Sequence, residues 1–216
     1  MIMSDTNRSF DIECRKCPRL ADFLDQIKIQ HPVYFARPVP SFGDETPKLL
    51  IVGLAPGMHG ANRTGRPFTG DYAGVLLYQT LYKFGFASAD ASISADDGLQ
   101  LKGCRITNAV KCLPPENKPS GEEIEVCNQY LAAEFASLPE DLVILALGNI
   151  AHQAVLKAQG LKIGAYKFSH AARHALPSGQ ILYDSYHCSR YNTQTRRLTE
   201  TMFHAVFESI HHELRG

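Results

Sequence analysis

Four short apolar runs, each of strand length and each released into a loop rich in glycine or polar residues, constrain this chain more than any other feature. They are Leu49 to Leu54, Arg105 to Val110, Leu142 to Leu147 and Ile181 to Tyr186. Runs this short and this rich in branched residues read as buried parallel strands. The segments between them carry helical periodicity. Tyr72 to Phe84 places Val75, Leu76, Leu77, Leu81 and Phe84 at three- and four-residue intervals. Ser120 to Phe135 opens with Ser120 and Glu123 in capping-box spacing. Asn149 to Gln159 follows a strand and stops at Gly160, and Thr195 to His211 aligns Leu198, Met202, Val206 and Ile210. This alternation predicts an α/β fold, a three-layer sandwich with a central, mainly parallel four-stranded sheet and helices on both faces.

In such a sheet, ligands bind beyond the carboxyl ends of the strands. Pro56 and Gly57, Lys111 and Cys112, Gly148 and Asn149, and His187 all lie just past a predicted strand end and are expected to converge. A chain of 216 residues, 44% hydrophobic and 20% charged, fits one compact domain over 1–216 and excludes a disordered or fibrous class. No apolar run approaches the roughly 18 residues of a membrane helix, and Met1 to Arg19 lacks a leader-like stretch, so a cytoplasmic protein is expected. Lys plus Arg and Asp plus Glu both number 22. Binding to nucleic acid must therefore come from local sites rather than a positively charged coat. Ala87 to Leu99, rich in Ala, Ser and Asp, reads as a solvated insertion.

Six cysteines in a reducing compartment favour metal ligation over disulfides. Cys14 and Cys17 form a Cys-X2-Cys pair, inside an N-terminal segment 10–30 that would carry these ligands. Cys112 follows a strand and Cys127 lies in a predicted helix, so both can return to the same point. Thiolate softness admits zinc as well as an iron–sulfur cluster. Cys104 and Cys188 read as ordinary buried thiols.

The stretch from Gly53 to Asp71 holds five glycines and two arginines after a buried strand, yet matches neither the dinucleotide fingerprint nor a P-loop. Asp71 sits where a helix N-cap belongs. Phe68 is a large ring in a glycine-rich loop and needs a flat partner to cover it. The segment from Tyr186 to Arg197 mixes an imidazole, hydroxyls, amides and guanidiniums, the makings of a loop for phosphate and substrate.

These motifs carry a resemblance. Gly53 to Gly57, His59 to Arg66, Phe68 to Asp71, Asn108 to Asn117, and His187-x-Ser-x-x-Asn192 together resemble the type-5 (family 5) uracil-DNA glycosylases nearly end to end. Type-4 enzymes are similar in their four cysteines but place an acidic residue where this chain has Leu54. One position departs from the family pattern: Cys188 stands where proline usually follows the histidine, so the loop lacks a ring to stiffen it.

The resemblance implies a [4Fe-4S] cluster on Cys14, Cys17, Cys112 and Cys127, in a structural role. It also implies excision of uracil, and of other deaminated bases, from double-stranded DNA in base-excision repair, by a monomer working at the prokaryotic nucleoid. Catalysis would fall to Asp71 and His187, and base binding to Gly57, Phe68, Asn108, Asn117 and Asn192. Arg63, Arg66 and Arg190, with Lys118, would hold phosphates. A non-catalytic iron–sulfur module that binds DNA or senses redox state, and a hydrolase of small nucleosides, are the competing readings.

Overall fold

A computed structural model of the chain describes residues 10–215. Residues 1–9, on which part of the expectation for Met1 to Arg19 falls, and residue 216 lie outside the described residues. Among the described residues, six strands form one sheet. The four anticipated strands are present as β2 (Leu49–Gly53), β3 (Cys104–Asn108), β4 (Val143–Leu147) and β6 (Ile181–Ser185), all mutually parallel. Two short antiparallel strands correct the four-stranded expectation: β1 (Phe42–Gly43) pairs with β3, and β5 (Arg173–Ala175) with β6. At two and three residues, these edge strands are too short to show an alternating pattern in the sequence. The resulting order is β1-β3-β2-β4-β6-β5.

Every residue of β2 and β4 is buried, which explains their unbroken apolar character. Successive side chains point to opposite faces. Leu49 and Ile51 join a core with Leu77, Tyr78 and Leu81 of α3 (Tyr72–Lys83) and Phe203, Val206 and Phe207 of α7 (Glu200–Glu213). Leu50 and Val52 join a second core with Leu131 of α4 (Gly121–Ser137) and Ala151, Ala154 and Val155 of α5 (Asn149–Ala158). Helices therefore cover both faces. The chain leaves β2 toward one edge and β4 toward the other, so the crevice beyond these two strands is a topological switch point.

Two helical features differ from the sequence reading. The expected helix Thr195 to His211 begins only at Glu200, as α7; a separate short α6 (Arg190–Gln194) precedes it, and residues 195–199 form a turn in which Arg196 takes φ 57°. Thr199 caps α7 by accepting a hydrogen bond from the Met202 N–H at 3.2 Å. In addition, α1 (Pro18–Gln30) and a four-residue α2 (Ala61–Thr64) were not anticipated. Leu20, Leu24 and Ile27 of α1 pack on Val110, Leu113 and Tyr130, docking the N-terminal segment beside the loop after β3. Among the described residues, no helix is long and apolar enough to cross a membrane.

Candidate active site

The carboxyl ends of β2, β3 and β6 open onto a cavity of about 380 Å³, within the range of small-molecule sites. Gly57, Phe68, Asp71, Asn108, Asn117, His187 and Arg190 all line it. Three loops distant in sequence thus bring both expected catalytic side chains to one chamber.

Asp71 is the N-cap of α3, its Oδ1 accepting the Gly74 N–H at 2.9 Å. Its other oxygen, Oδ2, lies against the bare backbone of Gly57 and Gly60. A Cβ on Gly60 would approach Oδ2 to 2.2 Å, and one on Gly57 to 3.4 Å. Burial raises the Asp71 carboxyl above the usual carboxylate range, against the lowering effect of the Gly74 and Ala73 amides.

Phe68 is 6% exposed and holds the left-handed backbone at φ 53°. Two glycines make room for it: a Cβ on Gly53 would come within 2.7 Å of its ring, and one on Gly74 within 1.9 Å of its carbonyl oxygen. Its ring lies beside that of His187, centroids 5.8 Å apart and planes inclined by 28°. Burial pushes the His187 imidazole down to about 4, so the ring is neutral at pH 7. Asn108, at the end of β3, is 3% exposed, and its Oδ1 has no hydrogen-bond partner among the described residues. An unmet buried acceptor costs about 1–3 kcal/mol, and this oxygen lies against Gly53, where a Cβ would come within 2.4 Å of it. Asn117, exposed and at φ 56°, closes the same rim from the turn after Pro115.

Two expected contacts fall elsewhere. Asn192 does not line the cavity; its Nδ2 donates to the His187 carbonyl at 2.8 Å, which fixes the loop from behind. Arg66 is 4% exposed and not available to a phosphate. It pairs with Asp97 at 2.6 Å, donates to Ser92 and Thr69, and lies over the Phe42 ring. A desolvated guanidinium needs such a full set of partners. The same contacts correct the reading of Ala87 to Leu99 as a merely solvated insertion, since Asp97 and Ser92 pin it to the glycine-rich loop. Arg63 remains at the surface, donating to the His59 carbonyl at 2.7 Å. Arg190 is exposed over the Tyr72 ring at the cavity mouth, and Lys118 is exposed next to Glu116. Tyr72 and Ala73 also line the cavity, having been read only as helix residues; their position directly after Asp71 was the available signal.

A second chamber gathers Cys14, Cys17, Cys112 and Cys127 around an apolar lining of Leu20, Ala21 and Tyr130. Cys17 is the N-cap residue of α1, Cys112 follows β3 and Cys127 projects from α4, its Sγ receiving the Lys111 N–H at 3.3 Å. Burial, with the neighbouring thiols and acidic groups, pushes Cys17 up to about 11 and raises Cys112 as well. Among the described residues, no three of these sulfurs lie within 4.8 Å of one another. A single tetrahedral zinc would draw them to about 3.8 Å, given Zn–S bonds of about 2.3 Å. The four thiols do not converge as one small ion would require, and the set suits a larger group. Cys104 and Cys188 are fully buried in the core below α3, apart from this chamber.

Comparison with known proteins agrees with the geometry. The family model of the uracil DNA glycosylase superfamily matches residues 40–211. The chain is 48% identical to the type-5 uracil-DNA glycosylase of Thermus thermophilus, over 88% of this chain and 89% of the relative. It is 43% identical to that of Mycobacterium leprae over 90% and 88%, and 40% identical to that of Pyrobaculum aerophilum over 87% and 83%. Type-4 uracil-DNA glycosylases match over a smaller share of this chain. The chain belongs to the uracil DNA glycosylase superfamily and, within it, to the type-5 uracil-DNA glycosylases.

Proposed function

We propose that this chain hydrolyses the N-glycosidic bond of uracil, and of other deaminated bases, in double-stranded DNA, the opening step of base-excision repair. It would work as a single catalytic unit and a monomer, in the cytoplasm on nucleoid DNA. The observation that carries this reading is the meeting of Asp71, Phe68, Asn108 and His187 in one cavity. A non-catalytic DNA-binding module has no use for that combination.

Breaking the bond leaves negative charge on the departing base and positive charge on an oxocarbenium-like sugar. The base first leaves the duplex stack, at a cost of a few kcal/mol, and enters the cavity. Phe68 supplies a face to stack on, and the side-chain amide of Asn108 meets the edge of the base. His187, neutral, donates its N–H to the carbonyl oxygen on which charge collects. Asp71 favours the sugar cation and orients a water on the opposite face. That water forms the new bond to the sugar carbon as the bond to the base nitrogen breaks. Arg63, Arg190 and Lys118 contact backbone phosphates.

Cys14, Cys17, Cys112 and Cys127 would hold a [4Fe-4S] cluster, which when bound cross-links α1 to the loop after β3 and to α4. Its role is structural. A colourless preparation free of iron would refute the assignment. The activity is tested with duplexes carrying uracil, hypoxanthine or thymine, treated with alkali and resolved for breaks at abasic sites, with free nucleosides as control. Breaks at uracil are expected, and their absence would overturn the reading.

A further inference from the structure

The most deeply buried titratable cluster outside the cavity is His152 of α5, Asp184 of β6 and His174 of β5, whose ligating atoms lie within 4.8 Å of one another. The side chains of His152 and Asp184 are 1% and 0% exposed. His152 Nδ1 stands 2.8 Å from Asp184 Oδ1, and its Nε2 stands 3.0 Å from the Tyr166 carbonyl oxygen. His174 Nε2 stands 3.1 Å from Asp184 Oδ2.

A peptide carbonyl only accepts, so His152 Nε2 carries a hydrogen. Were the ring neutral, Nδ1 would then aim a lone pair at a carboxylate oxygen 2.8 Å away. No buried site tolerates that contact unrelieved. A positive centre must lie between them, and a proton on Nδ1 satisfies every contact without a further component. The two carboxylate oxygens face different rings, as they do when receiving two N–H donors rather than presenting one oxygen to a shared ion.

We propose that His152 is held as an imidazolium on Asp184, with His174 as the second donor, and that this pair is a positioning device for His187. Asp184 lies three residues before His187 on the same strand exit. On one side, the His152 N–H donates to the Gly148 carbonyl at 3.1 Å and the Gly148 N–H to the Ser185 carbonyl at 2.8 Å. A Cβ on Gly148 would sit 3.6 Å from the His187 Cβ. On the other side, Asp184 shares backbone hydrogen bonds with Ala171 and Ala172, and His170 Nδ1 receives the Tyr186 N–H at 3.3 Å. The charged pair thus ties α5, the 166–175 segment and β6 together where the His187 loop departs.

The charged or titratable groups facing His152 are Asp184 and His174. From the 166–175 segment, Tyr166 offers its carbonyl and Phe168 a ring edge, while His170 is turned to Tyr186. On α5 itself, Lys157 pairs with Glu125 of α4 at the surface. Burial pulls the His152 imidazole down, Asp184 and the Tyr166 carbonyl push it up, and the balance is raised. The pair is therefore present below the raised value and is lost as pH rises through it.

The test is nitrogen-15 NMR of the histidine rings in the iron-containing protein from pH 6 to 9, beside single-turnover excision over the same range. Both His152 nitrogens should stay protonated to a higher pH than those of exposed histidines in the same spectra. The excision rate should fall about tenfold as that proton leaves, with duplex affinity unchanged. Asp184→Asn should show the lower rate already at neutral pH, and His152→Gln should lack the alkaline fall. A His152 ring that loses its Nδ1 proton at or below the pH at which exposed histidines lose theirs overturns the proposal. So does one equivalent of a non-iron divalent metal that Asp184→Asn releases, or an alkaline fall that His152→Gln retains. The rate arm rests on the glycosylase reading. The NMR arm does not, and it decides the protonation even if no base is excised or a variant fails to fold.

Discussion

Replacing His187 by alanine gives the sharpest test of the chemistry, because the proposed role depends on both the charge of the ring and its place in the cavity. Burial holds the imidazole down to about 4, from 6.5 in water, so charging it in place costs about 3 kcal/mol more than in solution, at 1.36 kcal/mol per tenfold. At neutral pH the ring has one N–H to give and no charge. Its contribution is that of an oxyanion-hole donor, about 2.7–4 kcal/mol, or 10² to 10³ in rate. His187→Ala should therefore slow single-turnover excision of uracil from a duplex by that factor, with the duplex bound nearly as tightly. His187→Gln, which keeps an N–H, should recover part of the loss. Titration of the His187 ring itself should leave no mark on the wild-type rate between pH 5 and 8, since the ring titrates only near 4; the alkaline fall proposed for His152 is separate and is lost in His152→Gln. A limb near pH 6.5 that disappears in His187→Ala would mean the reacting form is the imidazolium, and a loss under threefold would remove the residue from the mechanism. Stability adds a control with a defined sign. The folded state binds this proton less readily than the unfolded chain, so stability is full above about pH 6.5 and declines as pH falls toward 4.

Three further outcomes follow from the same geometry. Asp71→Asn keeps an N-cap oxygen for the Gly74 N–H and removes a carboxylate that burial disfavours, so chemical denaturation at pH 7 should show equal or greater stability while excision drops sharply; a destabilised but active variant contradicts the assignment. Gly60→Ala places a Cβ 2.2 Å from Asp71 Oδ2 and should cut excision more than it lowers the melting temperature, whereas full activity would show that the carboxylate need not rest there. Arg66→Ala strands Asp97 and should destabilise by about 3 kcal/mol without changing the salt dependence of DNA binding, while Arg190→Ala should leave stability alone and reduce that dependence by about one counterion; the reverse pattern would return Arg66 to the DNA surface.

The sheet was legible because β2 and β4, buried at every residue, write uninterrupted apolar runs into the chain, while β3 and β6, buried at all but one residue, keep strand-length branched cores despite Arg105, Thr107 and Asp184. The edge strands carry no such mark: Arg173 to Ala175 alternates exposed and half-buried positions over three residues only, too few to repeat the pattern. The site was legible where chemistry demands a residue type at a strand end, as with Asn108 and His187. It was misread where only spatial neighbours decide the role. Nothing local distinguishes Arg66 from Arg63, three residues away. Asp97, distant in sequence, makes one a buried strut and leaves the other at the surface. Gly60 and Gly74 were visible as glycines, but their purpose, leaving space for Asp71 and Phe68, exists only in three dimensions.

Cys188 shows how a missing constraint can be supplied from elsewhere. Where the family pattern has a proline ring to stiffen the backbone after the histidine, this chain has a thiol that is fully buried in the core below α3. The loop is nonetheless held at each residue around it. His170 receives the Tyr186 N–H, Asn192 donates to the His187 carbonyl, and Ser189 caps α6 by accepting the Asn192 N–H at 3.4 Å. A proline fixes one φ angle. These three contacts fix the backbone on both sides of the imidazole and depend on residues from two other parts of the chain. Cys188→Pro should thus bring little gain in excision rate. Asn192→Ala should bring a marked loss, because the carbonyl it frees is the one that sets the direction of the His187 ring. If instead the proline variant were several-fold faster and Asn192→Ala indifferent, the backbone at 188, and not the contacts around it, would be what aims the catalytic group.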